Sequence, residues 1–234
     1  MVNDLHQRLD EIIHNTEPGG RLLSEPKLAK QLGVSRATLR EAMRTFETQG
    51  RIRRQQGVGT FAVHPSQIID SGLEMLESIE KLAERIGLKV TMGDLSIEEQ
   101  VAQGKVAESL QSPFGAPILR VSRVIYAEDR PVAYLVDMLP EEVLSPADVN
   151  GGFTGSVLDL ILRRGKPLLG TSYCEINAVV AEKEIPRALN IQRGSALIRL
   201  ESILYSQEGI PVDYSLSYFL PGYFKFHVIR RVGA

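Results

Sequence analysis

"GVSRATLREAMRTFETQG", Gly33 to Gly50, is the stretch that decides how the first quarter of this 234-residue chain folds. Leu39, Ala42, Met43 and Phe46 follow the i, i+3, i+4, i+7 rule of a helix with one buried stripe. Ser35 can cap that helix and Gly50 can end it. Arg36, Arg40 and Arg44 then fall on the opposite side at i, i+4, i+8, with Ser35, Ala37 and Thr38 crowding the first turn. Just upstream, Ser24 can cap a shorter helix that tolerates Pro26 in its first turn, turns Leu28, Ala29 and Leu32 inward and stops at Gly33. Two short helices joined at a glycine read as helix-turn-helix.

Outward from this pair, "DLHQRLDEIIHN" places Leu5, Leu9, Ile12 and Ile13 at helical spacing and "TEPGG" ends it. Downstream, "RIRRQ" and "TFAV" are strand candidates separated by "QGVG", where Gly57 and Gly59 permit a tight hairpin. A hairpin directly after the third helix is a wing. Residues 21–54 hold nine Arg or Lys against three Glu, a local charge of +6 inside a chain of net −2. A basic module on an acidic body points to a polyanion confined to one end. The major groove of B-DNA admits one helix, whose first turns reach base edges while arginines meet guanines or phosphates. Arg53, Arg54, Gln56 and the amide of Gly57 would approach the backbone from the wing. A solvated charged helix side is the alternative for three arginines taken alone; the turn, the polar cap and the basic hairpin favour double-stranded DNA.

The segment "PGGRLLSEPKLAKQLGVSRATLREAMRTFETQGRIRRQQGVGTF" resembles the winged helix-turn-helix of the GntR family. The shared elements are Pro-Gly, Ser-Glu, Leu-Ala, Gly-Val-Ser-Arg, Thr-Leu-Arg-Glu-Ala, and Gly-x-Gly-Thr-Phe. The resemblance implies that Ser35, Arg36, Ala37, Thr38 and Arg40 face an operator and that Gln56 and Gly57 form the wing tip. It departs at Pro26, where the family often has a DNA-touching arginine; Lys27 is the substitute.

Residues 1–63 are therefore read as the DNA-binding domain, 64–73 as a linker and 74–234 as a second domain. That body opens with a helix in "LEMLESIEKLAERIG". It continues with β-rich runs, "ILRVSRVIYA", "PVAYLVDML", "TSYCEINAVVA", "ALIRLESILYS" and "PVDYSLSYFL", between which "SVLDLILRRG" and "AEKEIPRALNI" read as helices. This predicts an antiparallel α+β domain with two hairpins of similar look, a sign of internal duplication. With its closing "GIPVDYSLSYFLPGYFKFHV", the body resembles the effector-binding (UTRA) domain of the family's HutC branch, whose fold is similar to chorismate lyase.

Strand parity puts Arg123 among Leu119, Val121 and Ile125, and Asp137 among Ala133, Leu135 and Leu139. Tyr173, Glu175 and Asn177 share a side of one strand; Asp213, Ser215 and Ser217 share a side of another. These groups could line one effector cavity. Equally, Arg123 and Asp137 could be a buried ion pair, and Tyr173 and Glu175 a solvated sheet side. The resemblance favours ligand contact at Arg123, since family members that bind sugar phosphates use an arginine there. Ile125 and Leu135 stand where such members have further polar residues, which points instead to a small polar ligand bearing a hydroxyl or amine.

A single cysteine, Cys174, excludes an internal disulfide, and the four histidines show no metal-ligand spacing. No cofactor is expected. The N-terminal "MVNDLHQRLDEII" has no signal-peptide pattern and no run is long enough to span a membrane, which predicts a cytoplasmic protein. The reading is a ligand-responsive transcription regulator, a repressor, acting as a homodimer on a palindromic operator. A lyase-like enzyme body tethered to a DNA module is the alternative, and a constitutive nucleoid-type binder a third.

Overall fold

A computed structural model describes residues 2–17, 19–48, 51–55, 57–62, 69–150 and 153–228. The N-terminal unit consists of α1 (Val2–His14), α2 (Glu25–Leu32), α3 (Arg36–Thr48), β1 (Ile52–Gln55) and β2 (Gly59–Ala62). Leu5, Leu9, Ile13, Leu28, Leu32, Leu39, Met43 and Phe46 meet in one core with Ile52 and Ala62 of the hairpin. Gly33 ends α2 with φ +68, and Gly57 and Gly59 turn the hairpin at φ +75 and +148. Arg21 bridges to Phe61 and gives the hairpin a third short partner.

The second unit runs β3 (Ile69–Gly72), α4 (Ile79–Arg85), β4 (Val90–Val101), α5 (Gly104–Ser109), β5 (Pro117–Ala127) and β6 (Arg130–Pro140). It continues α6 (Pro146–Asn150), α7 (Val157–Arg164), β7 (Leu169–Val180), α8 (Ile185–Ala188), β8 (Ala196–Ser206), β9 (Pro211–Phe219) and β10 (Phe224–His227). Six strands form one antiparallel sheet in the order β4-β5-β6-β9-β8-β7. Helices α4, α6 and α7 cover one face with Ile79, Leu82, Val149, Val157 and Ile161, while α5 and α8 cover the other with Ala107 and Ile185.

Two expectations are corrected here. The linker is shorter than 64–73: residues 69–72 are β3, which pairs in parallel with β10, while 63–68 lie outside the described residues. The helix expected from Leu73 begins only at Ile79, because the Ser78 hydroxyl caps it by accepting from the Lys81 amide at 3.3 Å. Parity and periodicity missed β4 altogether, since as an edge strand it is polar along most of its length.

The body is duplicated: β4-α5-β5-β6 repeats as β7-α8-β8-β9 about an axis between β6 and β9. Ala102 N donates to Ala116 O, and Ala181 N to Ser195 O, each at 2.8 Å. The left-handed residues recur in step, Gly104 with Lys183, Gln111 with Asn190 and Gly115 with Gly194, each pair 79 positions apart. Arg120 and Arg199, and Tyr134 and Tyr214, occupy equivalent places.

Candidate nucleic-acid interface and effector site

The recognition helix begins on a built cap: the Ser35 hydroxyl accepts from the Thr38 amide at 3.1 Å and shares a 2.8 Å hydrogen bond with the Thr38 hydroxyl. Ser35, Arg36, Ala37, Thr38, Arg40 and Arg44 are all exposed, and Arg36, Ala37, Arg40 and Arg44 line one open depression. Arg36 makes no ion pair among the described residues. Arg44 rests on Glu41 at 3.2 Å, a pair so exposed that it is worth little. Arg40 Nε sits 2.8 Å from Glu25 of α2, which holds the guanidinium over the turn. Lys27 and Gly57 are exposed as expected. Gln56 and the side chain of Arg53 lie outside the described residues.

Arg54 departs from expectation. Its side chain is 15 % exposed and lies between Glu47 at 3.6 Å and Glu25 at 3.9 Å, with a bond to the Arg40 carbonyl at 3.5 Å. Its place in the short strand turns it inward, so it pins the wing to α2 and α3. Burial raises the Glu47 carboxyl above its ordinary value, and the Arg54 charge offsets part of that rise. Sequence reading missed Arg21, an exposed cation whose Nε would lie 2.6 Å from a Cβ at Gly59. Only glycine lets that guanidinium lie along the wing.

In the body, Arg123 is buried against the Asp137 carboxylate, donates from Nε to the Gly155 carbonyl and stacks 5.8 Å from the Phe153 ring. Cross-strand register puts Val121, Asp137, Ser215, Ser202 and Cys174 in one row and Arg123, Leu135, Ser217, Leu200 and Ile176 in the next, all on one face. Asp213 follows on the same face, contacts Asp137 and accepts from the Met138 amide. Its carboxyl is pushed well above the ordinary range, first by burial and then by the Asp137 charge. Thus Arg123, Asp137, Asp213 and Ser215 come together. Tyr173 and Glu175 do not: opposite Ile203 and Glu201, they lie on the other face, exposed and bonded to each other at 3.3 Å. The parity within β7 was read correctly, but which side of the sheet it presents depends on a register with β8 that no single strand encodes.

Helices supply what the strand reading missed. Glu80 of α4 lies against Gly155, and burial raises its carboxyl despite the Arg123 charge nearby. Asp159 of α7 accepts from the Ser78 hydroxyl at 2.7 Å and pairs with Lys81 at 2.7 Å. In a sequence, Glu80 and Asp159 look like the wet sides of amphipathic helices. The duplication supplies an internal comparison. The positions equivalent to Arg123, Asp137, Asp213 and Ser215 are Ser202, Ser217, Ala133 and Leu135, so the same scaffold folds without these charges. The charged set is an addition to the fold.

Comparison with known proteins agrees with this geometry. The model for bacterial regulatory proteins of the gntR family matches residues 2–62, and the UTRA domain model matches residues 85–225. The chain belongs to the gntR family, in its UTRA-bearing form. It is 26 % identical to the HTH-type transcriptional repressor NagR of Bacillus subtilis, over 92 % of this chain and 88 % of that protein. It is 28 % identical to the histidine utilization repressor of Pseudomonas aeruginosa, over 81 % and 74 %. The fold matches the crystal structure of PhnF from Mycobacterium smegmatis with a TM-score of 0.66 at 21 % identity, covering 98 % of this chain and 100 % of that one. This gntR-family protein is a DNA-binding transcriptional regulator with an effector domain, and no helix among its described residues is long and apolar enough to cross a membrane.

Proposed function

We propose that the chain is a homodimeric, cytoplasmic repressor whose two winged modules hold a palindromic operator and whose grip is modulated by a small molecule bound at Arg123, Asp137, Asp213 and Ser215. One observation carries this reading: a capped, exposed arginine helix and a charged site that the duplicated scaffold does not require occur in the same chain. Both relatives above bear the name repressor. Dimerisation is supported by the edge strand β7, which leaves Ile176 and Val180 more than half exposed. Two modules on a two-fold axis double the base contacts of one.

The proposed coupling runs through α4. Glu80 and Lys81 reach the site from α4, which directly follows β3, and β3 is the first described element after the DNA module. A ligand that binds more tightly with α4 in one position than in another shifts the freedom of the two modules by that difference in affinity. No turnover is involved, and the ligand is recovered unchanged.

The test is footprinting of purified full-length protein on genomic fragments, with sedimentation to count protomers. A two-fold symmetric footprint occupied by a dimer supports the reading. A monomer bound equally to random DNA removes it.

A further inference from the structure

Resting on the reading that this face of the sheet holds an effector, we infer that the effector is a small organic cation, an amine or amidine carrying hydroxyl groups, seated on Asp213 and Asp137. The acidic groups around the site outnumber the cations. Asp137 on β6, Asp213 on β9, Glu80 on α4 and Asp159 on α7 face two cations, Arg123 on β5 and Lys81 on α4. Both cations are already engaged, Arg123 by Asp137 and the Gly155 carbonyl, Lys81 by Asp159. On β4, the residue opposite Arg123 is Leu95, which adds no charge.

Asp213 is 5 % exposed, and its Oδ1 has no hydrogen-bond partner among the described residues. A buried carboxyl oxygen left without a donor costs about 1–3 kcal/mol, so the fold retains a group it would be more stable without. That oxygen calls for a donor, and a cationic donor would also pair with Asp213 as it ionises. The approach is also chemical. From Asp137 the row continues through Ser215 and Ser202, with Ser217 beside them. These half-buried hydroxyls suit the hydroxyls of a ligand whose amine lies at the buried end. An anion is disfavoured, because Asp137 and Asp159 repel it and the buried Arg123 is already paired.

Asp213 and Glu80 are held toward their neutral forms, chiefly by burial. A bound cation draws them back to the charged form, so binding releases protons.

The experiment uses full-length protein and matched probes: glucosamine and ethanolamine as cations, their N-acetyl derivatives as neutral counterparts, and gluconate, glycolate and glucose 6-phosphate as anions. Binding is read by titration calorimetry in phosphate and in MOPS, buffers that are not hydroxylated amines, and by the shift of the tyrosine unfolding transition. At least one cation binds, its N-acetyl form binds more than tenfold weaker, the heats differ between buffers as protons are released, and Asp213→Asn weakens binding more than tenfold. A neutral or anionic probe that binds here, with affinity lost in Asp213→Asn, overturns the inference. Should no probe bind, a tethered charge decides: Ser215→Lys raises the unfolding temperature and Ser215→Glu lowers it, and equal losses from both overturn the inference. Operator binding separates the two readings. A bound cation that leaves operator affinity unchanged removes the effector role and keeps the site's chemistry, whereas operator release by an anion at this site does the reverse.

Discussion

Replacing Arg123 by Met removes the guanidinium from between Asp137, Asp213 and Glu80 and leaves Asp137, itself 9 % exposed, without its cation. Breaking one side of a buried pair costs about 3–5 kcal/mol, while replacing both partners by apolar residues of similar volume is close to neutral. For a domain of this size each kcal/mol moves the midpoint by about 2–4 °C, so Arg123→Met lowers it by about 6–20 °C. Arg123→Met/Asp137→Leu recovers most of that loss. All seven tyrosines lie at or beyond position 126 and tryptophan is absent, so tyrosine fluorescence reports this domain alone. The sign with pH follows from the charge left behind. Without Arg123 the Asp213 and Glu80 carboxyls, already raised by burial, lose a charge that lowers them and rise further, so stability present at acidic pH is lost as pH rises through the folded values. The deficit against wild type is therefore larger at pH 7 than at pH 4. A single variant within about 1 kcal/mol of wild type, or a double variant no better than the single, refutes the reasoning.

The DNA module offers further checks. Arg54→Ala destabilises it by about 1–3 kcal/mol, because Glu25 and Glu47 lose a largely buried partner, whereas Arg36→Ala changes its midpoint by no more than about 0.5 kcal/mol; thermal unfolding followed by circular dichroism separates the two. Burial holds the Glu47 carboxyl above its unfolded value, so the module loses stability as pH rises from about 4.5 through the folded value. Glu47→Gln flattens that slope, which denaturation at pH 4.5 and pH 7 will show. Ser35→Ala removes the cap of α3 and costs about 1 kcal/mol, together with a loss of operator affinity larger than its stability cost explains, because Thr38 loses its hydroxyl partner.

The DNA module was legible because its signals are local. A 3.6-residue apolar period, the Ser35 cap of α3, Gly33, Gly57 and Gly59 each fix their own neighbourhood, and together they specify α2, α3 and the wing, although the Ser24 hydroxyl makes no cap hydrogen bond to α2. The hairpins β5-β6 and β8-β9 were legible for the same reason, and their likeness did reflect duplication. What stayed hidden depends on register between distant strands. Parity grouped Tyr173 with Glu175 correctly but could not say that β7 turns them away from Asp137, and it could not bring Glu80 and Asp159 from α4 and α7 onto Arg123. The inward turn of Arg54 was not legible because a four-residue strand has two residues on each side and no apolar alternation to orient it.

The central claim is that the exposed side of α3 lies in the groove of a duplex. Fluorescence anisotropy on a footprinted operator, from 50 to 200 mM salt, tests it most directly for wild type, Arg36→Ala and Arg40→Ala. Wild-type affinity falls linearly on a log-log plot, and each substitution weakens binding, either reducing the slope by about 1 for a lost phosphate contact or relaxing base preference by about 1–3 kcal/mol for a lost guanine contact. Salt-independent affinity, or two substitutions that leave both affinity and slope unchanged, contradicts the claim.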